Sequence, residues 1–109
     1  MNLNESDFRT LLDATHDHVV AVFSASWCGP CRAFASIFQN VTKQLEQQKV
    51  SFAKLDIDEC TQLCDDLTIN VVPTIIIFKS SKVVARKEGG FSGGSHFIDW
   101  LNSQGIKSK

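Results

Sequence analysis

The stretch Val19-Val20-Ala21-Val22-Phe23-Ser24-Ala25-Ser26-Trp27-Cys28-Gly29-Pro30-Cys31 decides the fold. It opens on five apolar residues, bounded upstream by the polar His16-Asp17-His18. A short apolar, β-branched run bounded in this way reads as a buried strand. Pro30 suits the first turn of a helix, where its missing N–H leaves no bond unmade. Beyond it Phe34, Ile37, Phe38, Val41 and Leu45 recur at helical spacing, which predicts a helix from Pro30 or Cys31 to Gln48. Strand, cysteine pair and helix thus follow one another without a linker.

Upstream, Phe8, Leu11 and Leu12 predict a helix capped by Asn4 or Ser6. Downstream, residues 50–57 alternate as a strand, and Cys60, Leu63, Cys64 and Leu67 follow the i, i+3, i+4, i+7 pattern of a short helix. Residues 74–78 form a dense apolar strand, and Ser80-Ser81 turns it into a second strand over residues 83–87. Glycines 89, 90, 93 and 94 precede a last helix, with Ser95 as its N-cap and Phe97 and Leu101 facing inward. Strands joined through a long helix imply a right-handed parallel crossover, whereas the hairpin is antiparallel. The fold class is α/β: a central mixed β-sheet flanked by helices on both faces, in one domain over residues 1–109.

With a net charge of −1 the chain has no field to gather nucleic acid or an anionic membrane surface. The longest apolar stretch, residues 71–78, is interrupted by Pro73 and Thr74 and falls far short of a membrane span. Asn2, Asn4, Glu5, Ser6 and Asp7 stand where a signal peptide needs a basic start and an apolar run. Lys107-Ser108-Lys109 does not resemble an endoplasmic-reticulum retention signal. The expected setting is a reducing cytosol and the expected state a monomer. In that setting four cysteines read as catalytic, metal-binding or buried, and not as a disulfide framework.

The chemistry concentrates at Cys28 and Cys31. At or near the N-cap, Cys28 meets unpaired backbone N–H groups and the positive end of the helix dipole, which favour a thiolate. The spacing places Cys31 on the same side of the turn, within reach of a disulfide and more deeply buried. Cys28 is therefore expected to attack a substrate disulfide and Cys31 to resolve the mixed disulfide. Gly29 leaves room for a partner to approach, and Pro30 stiffens the turn. Zinc sites use the same cysteine spacing, but not usually between a strand and a proline-started helix.

Trp27-Cys28-Gly29-Pro30-Cys31 resembles the signature of the thioredoxin family, which is itself a standard example of a cysteine acidified at a helix start. The similarity runs from about Phe8 to Leu101, through Lys54-Leu55-Asp56-Ile57-Asp58, Val71-Val72-Pro73-Thr74 and Gly89. It implies a thioredoxin fold and the reduction of protein disulfides. It also implies that Pro73 is a cis-proline facing the cysteines, that Val72 offers backbone bonds to a substrate strand, and that Gly89 lines the same groove. Trp27 would form a partly exposed wall beside the nucleophile. By the same resemblance no cofactor binds to this chain, and an NADPH-dependent flavoprotein thioredoxin reductase recycles it. Gly29-Pro30 is similar neither to the Pro-Tyr of glutaredoxins nor to the Gly-His of disulfide isomerases, which implies a reductant.

Two departures stand out. Val22 occupies the place of the family's buried aspartate, so the Cys31 proton needs another route, expected to be water held by Lys54. Residues 1–4 leave only a stub of the family's first strand. Outside the motif, Cys60 and Cys64 are expected to be buried core residues, since an i, i+4 pair in an intact helix is poorly placed for a disulfide. A regulatory disulfide there, a four-cysteine zinc site, and a redox-dependent interaction module without turnover are the competing readings. His16, His18 and His96 are expected at the surface, and Asp56, Asp58 and Glu59 at a solvated strand end.

Overall fold

The computed structural model describes residues 1–107; Ser108 and Lys109, and with them part of the carboxyl-terminal tripeptide discussed above, lie outside the described residues. The central strand β1 (His18–Ser24) pairs parallel with β2 (Val50–Asp56) and antiparallel with β3 (Thr74–Lys79). β4 (Lys82–Glu88) completes the sheet, antiparallel to β3, in the order β2-β1-β3-β4. The helix α2 (Gly29–Gln44) makes the crossover from β1 to β2. The mixed sheet expected from the alternating periodicities is therefore present.

The pleat of β1 explains why both sheet faces are covered. Successive side chains alternate between faces. Val20 and Val22 join Phe34, Phe38 and Val41 of α2, its C-cap Leu45, and Phe97 and Leu101 of α4 (Gly94–Ser103) in one core. Val19, Ala21 and Phe23 join Phe8 of α1 (Glu5–Ala14) and Leu63 and Cys64 of α3 (Thr61–Asp66) in the other. Every residue of β1 after His18 is buried. That is why the run is uniformly apolar until it reaches Ser24, where the chain leaves the sheet toward the cysteine motif.

The stub of a first strand is real and short. Asn2 bridges to Lys54 in parallel fashion, with Leu3 N–H donating to Lys54 O at 3.1 Å and Lys54 N–H to Met1 O at 2.8 Å. Asn4, one of the two proposed caps, holds α1 by accepting the Asp7 N–H at 2.8 Å. Other boundaries differ from expectation. α2 stops at Gln44, with Leu45 as its C-cap; Leu45 is the last buried residue of the apolar stripe, and residues 46–49 after it are exposed or half-buried, with no packing to extend the helix. α4 is capped by Gly93 without a side-chain bond, so Ser95 lies inside the first turn and does not cap. Cys60 precedes α3, with φ −140° and ψ 52°, and does not belong to the helix.

Candidate active site

Three polypeptide segments meet at the carboxyl end of β1. The first carries the cysteines. Cys28 is the N-cap of α2 in extended conformation (φ −95°, ψ 117°), and its Sγ accepts the Cys31 N–H at 3.2 Å. The Cys28 N–H donates back to Ala25 O at 3.2 Å, which closes the turn between strand and helix. Pro30 falls in the first helical turn, as its chemistry requires. Negative charge on a sulfur so placed faces an otherwise unpaired N–H and the positive end of a 16-residue helix. Among the described residues, nothing beyond its chain neighbours and the backbone of its own helix lies within 4 Å of where a Gly29 Cβ would sit, so that face of the motif is open to an incoming partner.

Both cysteines are free thiols, and each is only 6% exposed. The difference in burial expected between them is absent. The asymmetry lies in their surroundings. Cys28 Sγ points its thiol at the Val72 carbonyl, 3.8 Å away. Burial pushes the Cys31 thiol up to about 11 from an ordinary 9.0, and its contact with Cys28 adds to the rise; a backbone group of Ala25 and the charge of Lys54 oppose it.

The second segment is the loop before β3. The Val72–Pro73 peptide is cis, as the resemblance implied. Val72 packs against the small apolar cluster of Ala25, Cys28 and Cys31. Thr74, fully buried, donates its hydroxyl to Val71 O. Gly89 belongs to the same wall, because its N–H donates to Pro73 O at 2.7 Å. It does so with φ +84°, a left-handed conformation that glycine adopts without penalty.

The third segment is the turn after β2. Trp27 is 65% exposed, and its indole N–H donates to the Asp58 carboxylate at 3.1 Å. Asp58 sits on a single 3-10 turn, Ile57–Glu59, where its own N–H donates to Asp56 Oδ1 at 2.9 Å. Sequence reasoning placed Asp58 at a solvated strand end and missed this role. No spacing signal could have revealed it, since 31 residues separate it from Trp27.

Behind Cys31 a cavity of about 390 Å3 opens between the start of α2 and the end of β2. Cys31, Ser24, Arg32, Lys54, Asp56 and Glu59 are among the residues that line it. Val22, 3% exposed, pairs with Lys54 across the β1–β2 ladder and presents no polar atom to the buried thiol. The remaining cysteines, Cys60 and Cys64, lie in a different apolar cluster from Cys28 and Cys31. Among the described residues, no three His, Cys, Asp or Glu side chains converge as metal ligands would. No helix among them is long and apolar enough to cross a membrane.

Comparison with known proteins gives this arrangement its context. The family model described as Thioredoxin matches residues 1–103. Thioredoxin of Rickettsia prowazekii (strain Madrid E) is 32% identical over 101 residues, covering 93% of this chain and 94% of that protein. Thioredoxin domain-containing protein 8 of Rattus norvegicus is 42% identical over 79 residues, which are 72% of this chain and 61% of the relative's own length. Among solved structures, the thioredoxin of Fasciola hepatica superposes with a TM-score of 0.80 at 26% identity, covering 91% of this chain and 92% of the other.

Proposed function

The chain belongs to the thioredoxin family, and on that premise we propose that it reduces disulfide bonds in other proteins through Cys28 and Cys31. The Cys28 thiolate attacks one sulfur of the substrate disulfide; that bond breaks, a mixed disulfide forms, and the other substrate sulfur leaves as a thiolate. Cys31, having lost its proton, then attacks Cys28 Sγ. The Cys28–Cys31 bond forms, the second substrate sulfur leaves, and two electrons have passed to the substrate.

The observation that carries this reading is the Cys28 sulfur at the N-cap of α2, holding the Cys31 N–H at 3.2 Å. It supports the assignment of nucleophile and resolving thiol, because a thiolate is the reactive species and Cys31 is raised to about 11. Trp27, Val72, Pro73 and Gly89 form the docking wall in this scheme, with an extended substrate segment bonding to the Val72 backbone. No cofactor is bound by this chain itself. An NADPH-dependent flavoprotein thioredoxin reductase returns the disulfide to the dithiol, and a reducing compartment such as the cytosol suits the role.

The proton on Cys31 leaves into the cavity lined by Lys54, through water, since Val22 can neither accept nor relay it. Placing a carboxylate there tests the route: Val22→Asp is expected to speed mixed-disulfide resolution across neutral pH, and an unchanged rate would remove Val22 from the account. Dithiol-driven reduction of insulin tests the function as a whole. Turnover abolished by Cys28→Ser, with trapped mixed disulfides accumulating on Cys31→Ser, is the expected result. Turnover that survives Cys28→Ser would overturn the proposal.

A further inference from the structure

Cys31 must lose a proton before it can resolve a mixed disulfide, and Val22, buried on the neighbouring strand, has no atom to take it. The thiol instead lines a cavity of about 390 Å3. A water occupies about 30 Å3 of liquid, so the space admits an ion of a few heavy atoms together with several waters.

The charged groups around this space differ in what they already hold. The Asp56 carboxylate caps the 3-10 turn and accepts the Asp58 N–H at 2.9 Å. Glu59, on the same turn, is exposed, so water screens it. Arg32 is exposed as well, and its guanidinium donates to Ser26 O at 3.3 Å. Lys54 differs from all three: it is half-buried and forms no ion pair among the described residues. Its charge acts on Cys31 and favours the thiolate. A half-buried cation attracts an anion more strongly than one in bulk water does. Here that anion would sit beside a thiol in need of a base.

We propose that this cavity binds a small carboxylate of formate or acetate size, held by Lys54, which serves as the external base for Cys31. The proposal rests on the disulfide exchange proposed above and names what speeds its second half. In water alone the proton leaves as described there. With the carboxylate in place, one of its oxygens takes the proton from Cys31 Sγ, and the carboxylic acid departs and ionises again in solvent. The Cys31 thiolate attacks Cys28 Sγ, the Cys28–Cys31 bond forms, and the substrate sulfur leaves with the electron pair of the broken bond. The carboxylate itself is neither oxidised nor reduced.

Stopped-flow mixing of the reduced full chain with an equimolar amount of dipyridyl disulfide separates the two halves of the exchange. The first coloured thione released reports attack by Cys28, and the second reports resolution by Cys31. When formate replaces chloride at constant pH and ionic strength, the second phase is expected to quicken and then saturate, while the first stays fixed. The gain should reach about tenfold, below the 10²-fold or more typical of a base built into the chain. Lys54→Met, and Ala35→Leu, which fills the cavity from α2, should each abolish the response. Val22→Asp should be fast and indifferent to formate. A parent protein whose second phase ignores formate would overturn the proposal, all the more if Glu59→Gln slows that phase, since the base then belongs to the chain. So would a linear rise of equal slope in the parent, Lys54→Met and Ala35→Leu, which is catalysis from bulk solvent without a site. A second phase that persists in Cys31→Ser would instead sink the disulfide-exchange reading, an outcome distinct from these.

Discussion

Gly90→Ala is expected to be among the most damaging single-methyl changes in this chain. A Cβ at that position would lie 2.9 Å from Phe34 Cγ and 3.0 Å from Phe34 Cβ and Cδ1. Phe34 cannot yield, because it is 2% exposed and its ring is packed against Phe38, Phe91 and Phe97 at centroid distances of 6.0, 6.4 and 5.2 Å. Inserting a methyl group into a well-packed core costs about 1–3 kcal/mol. Three contacts on the stiff part of a side chain place this site near the top of that range. At about 4–8 °C per kcal/mol for a domain of this size, melting should fall by roughly 10–20 °C. Urea unfolding of the parent and variant measures the loss directly. Gly29→Ala serves as control, since among the described residues nothing outside its own turn lies within 4 Å of the added methyl. Combining Gly90→Ala with Phe34→Leu should recover part of the loss, with a coupling energy of about 1 kcal/mol or more. A Gly90→Ala protein within about 0.5 kcal/mol of its parent would refute the packing argument.

Three further outcomes follow from contacts at and around the site. Asp58→Ala removes the acceptor that holds the Trp27 indole, so the indole proton should exchange faster with solvent while global stability changes by less than about 1 kcal/mol; an unchanged exchange rate argues against the contact. Arg86 donates to the carbonyls of Leu67 and Thr68 at the end of α3. Arg86→Gln should therefore raise hydrogen exchange locally, over residues 67–72, at a cost of about 1 kcal/mol; protection unchanged there would count against the clamp. Burial pushes Cys31 up to about 11 and Cys60 up to about 12, above the ordinary 9.0 that the unfolded chain presents. Their contribution to stability is then fully present below pH 9 and lost as pH rises from 9 toward 12. Stability measured by urea unfolding should fall over that interval, and less steeply in Cys60→Ala; equal slopes would show that Cys60 is not responsible.

What the sequence made legible was whatever local periodicity and local chemistry determine. The run from Val19 to Phe23 and the stripe from Phe34 to Leu45 each announce themselves within a few residues, and the α1 cap narrows to Asn4 or Ser6. Cys28 announces itself as well at its helix start, where Pro30 fixes the register. What stayed hidden was set by distant partners. Gly90 reads as one glycine among several until Phe34 is seen against it. Asp58 reads as a solvated acid until Trp27 arrives from 31 residues away. Residues 46–48 have helix-compatible composition, yet none of them is buried in the core, and α2 ends at Gln44 with Leu45 as its cap. Cys60 follows the helical period of Leu63 and Cys64, but the 3-10 turn before it bends the chain out of that period.

The central place of β1 has a consequence for how the protein is made. Its first partner, β2, begins at Val50, and its other partner, β3, ends at Lys79. At about 5–20 residues per second, a ribosome needs roughly 2–10 s to travel from Cys31 to the end of β3. Throughout that interval the nascent thiols of Cys28 and Cys31 lack the Val72 loop that covers them in the finished molecule. The chain is thus born with these two sulfurs bare, and they stay so until translation delivers their cover.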